Sequence, residues 1–129
     1  MRRALALGLF GCLLSLPLSA AKSYKYYSIG STNDVTTTTT AGTVLMGGGT
    51  DVDAAFQWMI NKSGGGDFVV IRATGTDAYN PYIYALGTVN SVETLIIPSR
   101  SAAAGAFVVN KIRNAEALWI AGGVQSDYN

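Results

Sequence analysis

Short apolar runs that alternate with helix-like segments constrain this chain more than any other feature. Thr43–Met46, Phe68–Ile71, Glu93–Ile97 and Ala117–Ala121 each have the composition of a strand, and the first three each lead into a turn and a helix. Runs of four or five apolar residues without polar alternation fit strands covered on both faces, which is how parallel sheets are built. Alternation of strand and helix then predicts an open α/β sheet with flanking helices. In such sheets ligands bind outside the carboxyl ends of the strands, so the loops after each run are the first place to look for a site. The fourth run passes directly into Gly122, Gly123, Val124 and Gln125, and the sequence given stops at Asn129.

The helical segments carry their own signals. Val52, Ala55, Phe56, Met59 and Ile60 recur at helical spacing and form one apolar stripe, with Thr50 or Asp51 expected as the cap and Asp53 in capping-box position. Gly64, Gly65 and Gly66 end that helix. Asn80 followed by Pro81 reads as a cap and first helical residue of a short helix closed by Gly87. Val108, Val109, Ile112 and Ala115 line one face of a further helix, with Asn110, Lys111, Arg113 and Asn114 expected to face solvent.

Ahead of this core, Met1-Arg2-Arg3, the apolar run to Leu16, and Ser19-Ala20-Ala21 form the pattern of a secretory signal peptide over residues 1–21, with cleavage after Ala21. The run is shorter than the roughly 20 apolar residues that span a bilayer. Export to the periplasm or the extracellular space is the expectation. Cys12 is the single cysteine and lies inside this segment, so the mature chain would have no thiol and no disulfide. Removing Arg2 and Arg3 leaves seven Lys/Arg against eight Asp/Glu, a balance of −1 that gives no basic patch for nucleic acid or anionic membrane. Residues 22–42 read as an entry segment: Tyr24–Ile29 has the composition of an edge strand, and Thr36–Thr40 is either an extended linker or an O-glycosylated stalk.

Several motifs have both a chemical and a plain reading. Gly47-Gly48-Gly49-Thr50-Asp51 sits where a dinucleotide fold cradles phosphate, but the third glycine of that fingerprint falls on Val52, which favours a turn bringing backbone close to a site. Ser101 occupies a strand-to-helix junction without the flanking glycines of a nucleophile elbow. Tyr79, Tyr82 and Tyr84 either line a pocket mouth or cover the sheet. Asp51, Asp53 and Asp77 lack the spacing of a calcium loop and read as caps or solvated groups, so neither metal nor cofactor is expected. Asn61-Lys62-Ser63 is a glycosylation sequon. The chain contains no histidine, which excludes a Ser-His relay built from its own residues.

Taken together, Gly47–Asp51, Arg72–Asn80, Pro98-Ser99-Arg100, and Ile112–Ala115 through Ile120–Gln125 resemble the cyanophycinase-like serine peptidases. The resemblance covers nearly all of residues 43–128. It implies the class I glutamine amidotransferase-like (flavodoxin-like) fold and hydrolysis of peptide or isopeptide bonds in a peptide-like substrate. It also implies that the chain, truncated after about four core strands, is the N-terminal half of the hydrolytic domain (residues 43–129) and lacks its nucleophile. On that reading Gln125 is a substrate-pocket residue, Gly122 and Gly123 offer backbone amides, and Gly48, Gly49 and Ser99 line the same crevice. Val124 stands where the family has aspartate. The expectation is that these loops converge at one edge of the sheet, and that a non-catalytic small-ligand-binding module is the alternative.

Overall fold

The computed structural model describes residues 23–128, and the expected signal peptide lies outside them. The fold is α/β: an open, mixed but mostly parallel four-stranded sheet, order β1-β3-β2-β4, with helices on its faces. At its centre is β2, Asp67–Arg72, which pairs in parallel with both β3, Ser91–Ile96, and β4, Ala117–Ile120. Asp67–Arg72 is rich in β-branched residues and Ser91–Ile96 is buried at every position, as strands covered on both faces require. At the far edge, β1, Lys25–Gly30, runs antiparallel to β3, from Lys25 opposite Ile96 to Gly30 opposite Ser91. Its outer positions are exposed, which suits an edge strand.

Side-chain alternation divides the core in two. Phe68, Val70 and Val92 face α1, Asp53–Lys62, and α2, Tyr79–Tyr84, where they pack with Phe56, Ile60 and Ile83. Val69 and Leu95 face the other way, onto Val108 of α4, Ala106–Asn114. A four-residue helix, α3, Arg100–Ala103, precedes α4. A 3₁₀ turn, Gln125–Tyr128, follows β4. On the open edge, β4 sends Ala117 and Trp119 into the first cluster, while Leu118 and Ile120, on the opposite face, are 39 % and 61 % exposed.

Several expectations are corrected. Thr43–Met46 is not a strand: it has no sheet partner among the described residues, and Leu45 is 93 % exposed. The place beside β3 is taken by β1, which pairs along six residues, whereas the apolar run Val44–Met46 gives way at once to three glycines. Residue 52, not Thr50 or Asp51, is the cap position of α1, and it makes no side-chain cap bond. Asn80 lies inside α2 and is buried; its Oδ1 accepts from the Thr94 hydroxyl at 2.6 Å. Lys111 turns inward to a buried carboxylate on β3, Glu93, at 2.8 Å. Burial alone would lower the Lys111 pKa, but the hydrogen bond and charge of Glu93 outweigh it and hold the ammonium above its usual value.

The threonine tract is tied to the domain by hydrogen bonds rather than running free of it. Residues 33–40 form a strap across the amino ends of the strands. Val35 N–H donates to Asp67 Oδ2 at 3.2 Å, Thr40 N–H donates to the Lys62 carbonyl at 2.8 Å, and the Thr37 hydroxyl donates to the Ser63 carbonyl. Asp67, only 3 % exposed, also receives the Asn90 amide and the Ser91 hydroxyl, each at 2.6 Å on Oδ1. A buried carboxylate is tolerable when its lone pairs are filled in this way. Gly64, at φ +64°, is required here: a Cβ would come within 2.6 Å of the Thr38 carbonyl.

Candidate functional site

Because β2, β3 and β4 are parallel, the loops that follow them leave the same end of the sheet. Arg72 ends the central strand and sits between two clefts. The first, about 450 Å³, lies on the α1–α2 side and is lined by Thr50, Asp51, Asp53, Arg72, Tyr79 and Tyr82. The second, about 240 Å³, lies on the α3–α4 side and is bounded by Ala73, Pro98, Ser99, Arg100, Asp127 and Tyr128. A larger cleft of about 560 Å³ opens between α1 and the α2–β3 loop, but no ionisable side chain lines it.

The first cleft is built from paired phenols and carboxylates. Tyr82 donates to Asp53 Oδ1 at 2.6 Å and Tyr79 donates to Asp51 Oδ1 at 3.3 Å. The two tyrosines are three residues apart on α2, which puts them on one face. Phe56 backs them, with its ring 5.4 Å from Tyr82, 6.1 Å from Tyr79 and 5.0 Å from Trp119. Burial, then the Asp53 hydrogen bond and the carboxylate charges, push the Tyr82 pKa to about 12. Tyr79 is raised for the same reasons, burial first and then Asp51, with Trp119 and Arg72 opposing. Both phenols therefore remain protonated donors near neutral pH.

Arg72 is the positive element between the clefts. Its guanidinium lies 5.5 Å over the Tyr79 ring and donates through Nη1 to the Thr76 carbonyl at 3.0 Å. Its Nε is buried without a hydrogen-bond partner, and among the described residues the one ion pair is Lys111–Glu93. Gly75, at φ +107°, folds onto this guanidinium; a Cβ there would meet Nη2 at 2.6 Å.

The residues expected from sequence distribute as follows. Gly48 and Gly49 stand in open space directly before Thr50 and Asp51 of the first cleft, with Gly49 at φ +126°. Ser99 lines the second cleft, but its Oγ caps α3 by accepting from Ala102 N–H at 3.2 Å, and it lies 3.0 Å from Ser101 Oγ. Gly122 and Gly123 follow β4 at the same end. Gly122 is open, and Gly123 packs against Tyr128, whose hydroxyl donates to the Ala121 carbonyl at 2.6 Å. Gln125 is exposed and begins the turn that carries Asp127 and Tyr128 into the second cleft. Val124 is 65 % exposed.

Sequence reasoning missed Arg72 as a site residue and read Asp51 and Asp53 as caps. The available signal was the i, i+3 pair Tyr79 and Tyr82; Tyr84, the third tyrosine, turns toward Gly30 instead. Chemically, this edge offers fixed hydrogen-bond donors, two carboxylates, a guanidinium and aromatic walls. Those are the means of holding a polar ligand with an apolar body. Compared with known proteins, the chain matches no family model, no curated protein and no solved structure.

Proposed function

We propose that the carboxyl edge of the sheet is the peptide-binding wall of an exported, cyanophycinase-like serine peptidase of class I glutamine amidotransferase-like fold. The observation that carries this reading is the shared origin of the loops: Arg72–Asn80, Pro98–Arg100 and Gly122–Gln125 all follow parallel strands at one end of the sheet, and the first of them shares a cleft with the Thr50–Asp51 turn. In this reading the amides of Gly122 and Gly123 face the substrate carbonyl, and Gln125, Ser99, Gly48 and Gly49 border its path. The 129 residues hold no histidine, and the Ser99 hydroxyl is tied into the α3 cap. The chain alone is therefore expected to bind peptide without cleaving it. The test is a peptide titration followed by amide NMR, with a parallel hydrolysis assay on dipeptides and an aspartyl-arginine polymer. Shifts at Gly122, Gly123 and Gln125 without turnover are expected; hydrolysis by this chain alone, or no shifts at those amides, overturns the reading.

The second reading is a non-catalytic receptor for a small ligand. It is favoured by the completeness of the first cleft, whose charged and aromatic residues all lie between Thr50 and Tyr82. It predicts that ligand-induced shifts stay within that stretch and never reach Gly122–Gln125.

A further inference from the structure

We propose that Arg72 is the anchor for a free carboxylate, which makes the crevice selective for the ends of short peptides rather than for internal stretches of chain. This inference rests on the second, small-ligand reading and specifies the ligand of the first cleft. A guanidinium partly withdrawn from water costs free energy unless an anion or enough acceptors surround it. Arg72 has one carbonyl acceptor, a buried Nε with no partner and no carboxylate within ion-pair reach among the described residues. Arginine presents its N–H groups as a planar fork that matches a carboxylate. Asp127, the acidic residue of the second cleft, forms no ion pair with that fork.

The opposite charge lies at the other end of one tyrosine. Arg72 covers the Tyr79 ring at 5.5 Å, and the Tyr79 hydroxyl reaches Asp51 at 3.3 Å. Asp51 and Asp53 are exposed residues, and the tyrosine bonds use Oδ1 of each, so their Oδ2 atoms remain available to a cation. Cation and anion subsites separated by one aromatic ring match a chain of one or two residues, at about 3.3–3.6 Å per residue. A dipeptide then places its carboxylate on Arg72, its ammonium on Asp51 and Asp53, and its side chains against Tyr79 and Tyr82.

The experiment is calorimetric titration of the full chain with alanyl-leucine, its C-terminal amide and its N-acetyl derivative. Amidation is expected to weaken binding at least ten-fold and acetylation to weaken it less, because the aspartates are more exposed than Arg72. In Arg72→Met, which keeps an unbranched side chain over Tyr79, free acid and amide should bind alike. Arg72→Lys should restore part of the difference. Equal binding of acid and amide to the unmodified chain overturns the Arg72 assignment and leaves the small-ligand reading of the first cleft standing. Absence of binding by all three peptides overturns the Arg72 assignment together with a peptide as the ligand of that cleft. The amidation contrast needs no variant, so poor folding of Arg72→Met does not blunt the test.

Discussion

Replacing Asp67 by asparagine should free the strap at the amino end of the sheet. The aspartate is 3 % exposed and accepts from Val35 N–H at 3.2 Å, Asn90 Nδ2 at 2.6 Å and Ser91 Oγ at 2.6 Å. Hydrogen bonds to a charged acceptor contribute about 1.5–3 kcal/mol each, and neutral ones roughly half of that. Asparagine keeps one carbonyl oxygen, which still serves Asn90 and Ser91 as a weaker, neutral acceptor. Its amide group, however, faces the Val35 N–H, donor against donor, and an unsatisfied buried donor costs about 1–3 kcal/mol. Relief from desolvating a carboxylate offsets part of the loss, so the net destabilisation should be about 2–4 kcal/mol. That is a large share of the 5–15 kcal/mol typical of a domain. Urea denaturation measures it, and hydrogen exchange at Val35 and Thr40 locates it. The exposed control Thr38→Ala should stay within about 0.5 kcal/mol. If Asp67→Asn lies within the same margin, or destabilises while Val35 and Thr40 stay protected, the strap is not held by this carboxylate.

Three further outcomes follow from the core, the cleft and the open edge. Phe56→Ala should cost about 3–5 kcal/mol and alter the near-ultraviolet circular dichroism of Trp119, since Phe56 is fully buried 5.0 Å from that ring; Phe56→Leu should cost less than about 1.5 kcal/mol. Tyr82, with a pKa raised from 10.0 to about 12, favours the folded state fully below pH 10 and loses that contribution as pH rises through 12. Absorbance titration at the phenolate band should show late-titrating tyrosine signal whose latest part is lost in Tyr82→Phe; an unchanged titration refutes the assignment. Ile120→Lys, at a position 61 % exposed on the unpaired edge of β4, should leave stability within about 0.5 kcal/mol and reduce light scattering in concentrated solution.

The strands that are covered on both faces were the most legible. Phe68–Ile71 announces itself because a β-branched run buried on two faces has few alternatives, and its neighbours Glu93–Ile97 and Ala117–Ala121 follow to within two residues. The same local pattern misled at Thr43–Met46, because an apolar triplet does not specify a sheet partner and β1 had already filled the place beside β3. Lys111 and Asn80 were misjudged for a related reason: helical periodicity and capping rules see neighbours along the chain, while Glu93 and Thr94 approach from another strand. The cleft was half visible. Tyr79 and Tyr82 share a helix face by spacing alone, but their partners Asp51 and Asp53 lie 28 and 29 residues away, a distance that no local rule spans.

The central strand has a further consequence, since Asp67 opens it and Arg72 ends it. Five residue steps of about 3.3 Å put some 16 Å of rigid ladder between them. Perturbations that far apart with no shared partner add rather than interact. The double replacement of Asp67 and Arg72 should therefore combine the stability loss of one with the affinity loss of the other, unamplified. Strand length thus acts as an insulator, and the recognition chemistry at one rim can be redesigned without loosening the clasp at the other.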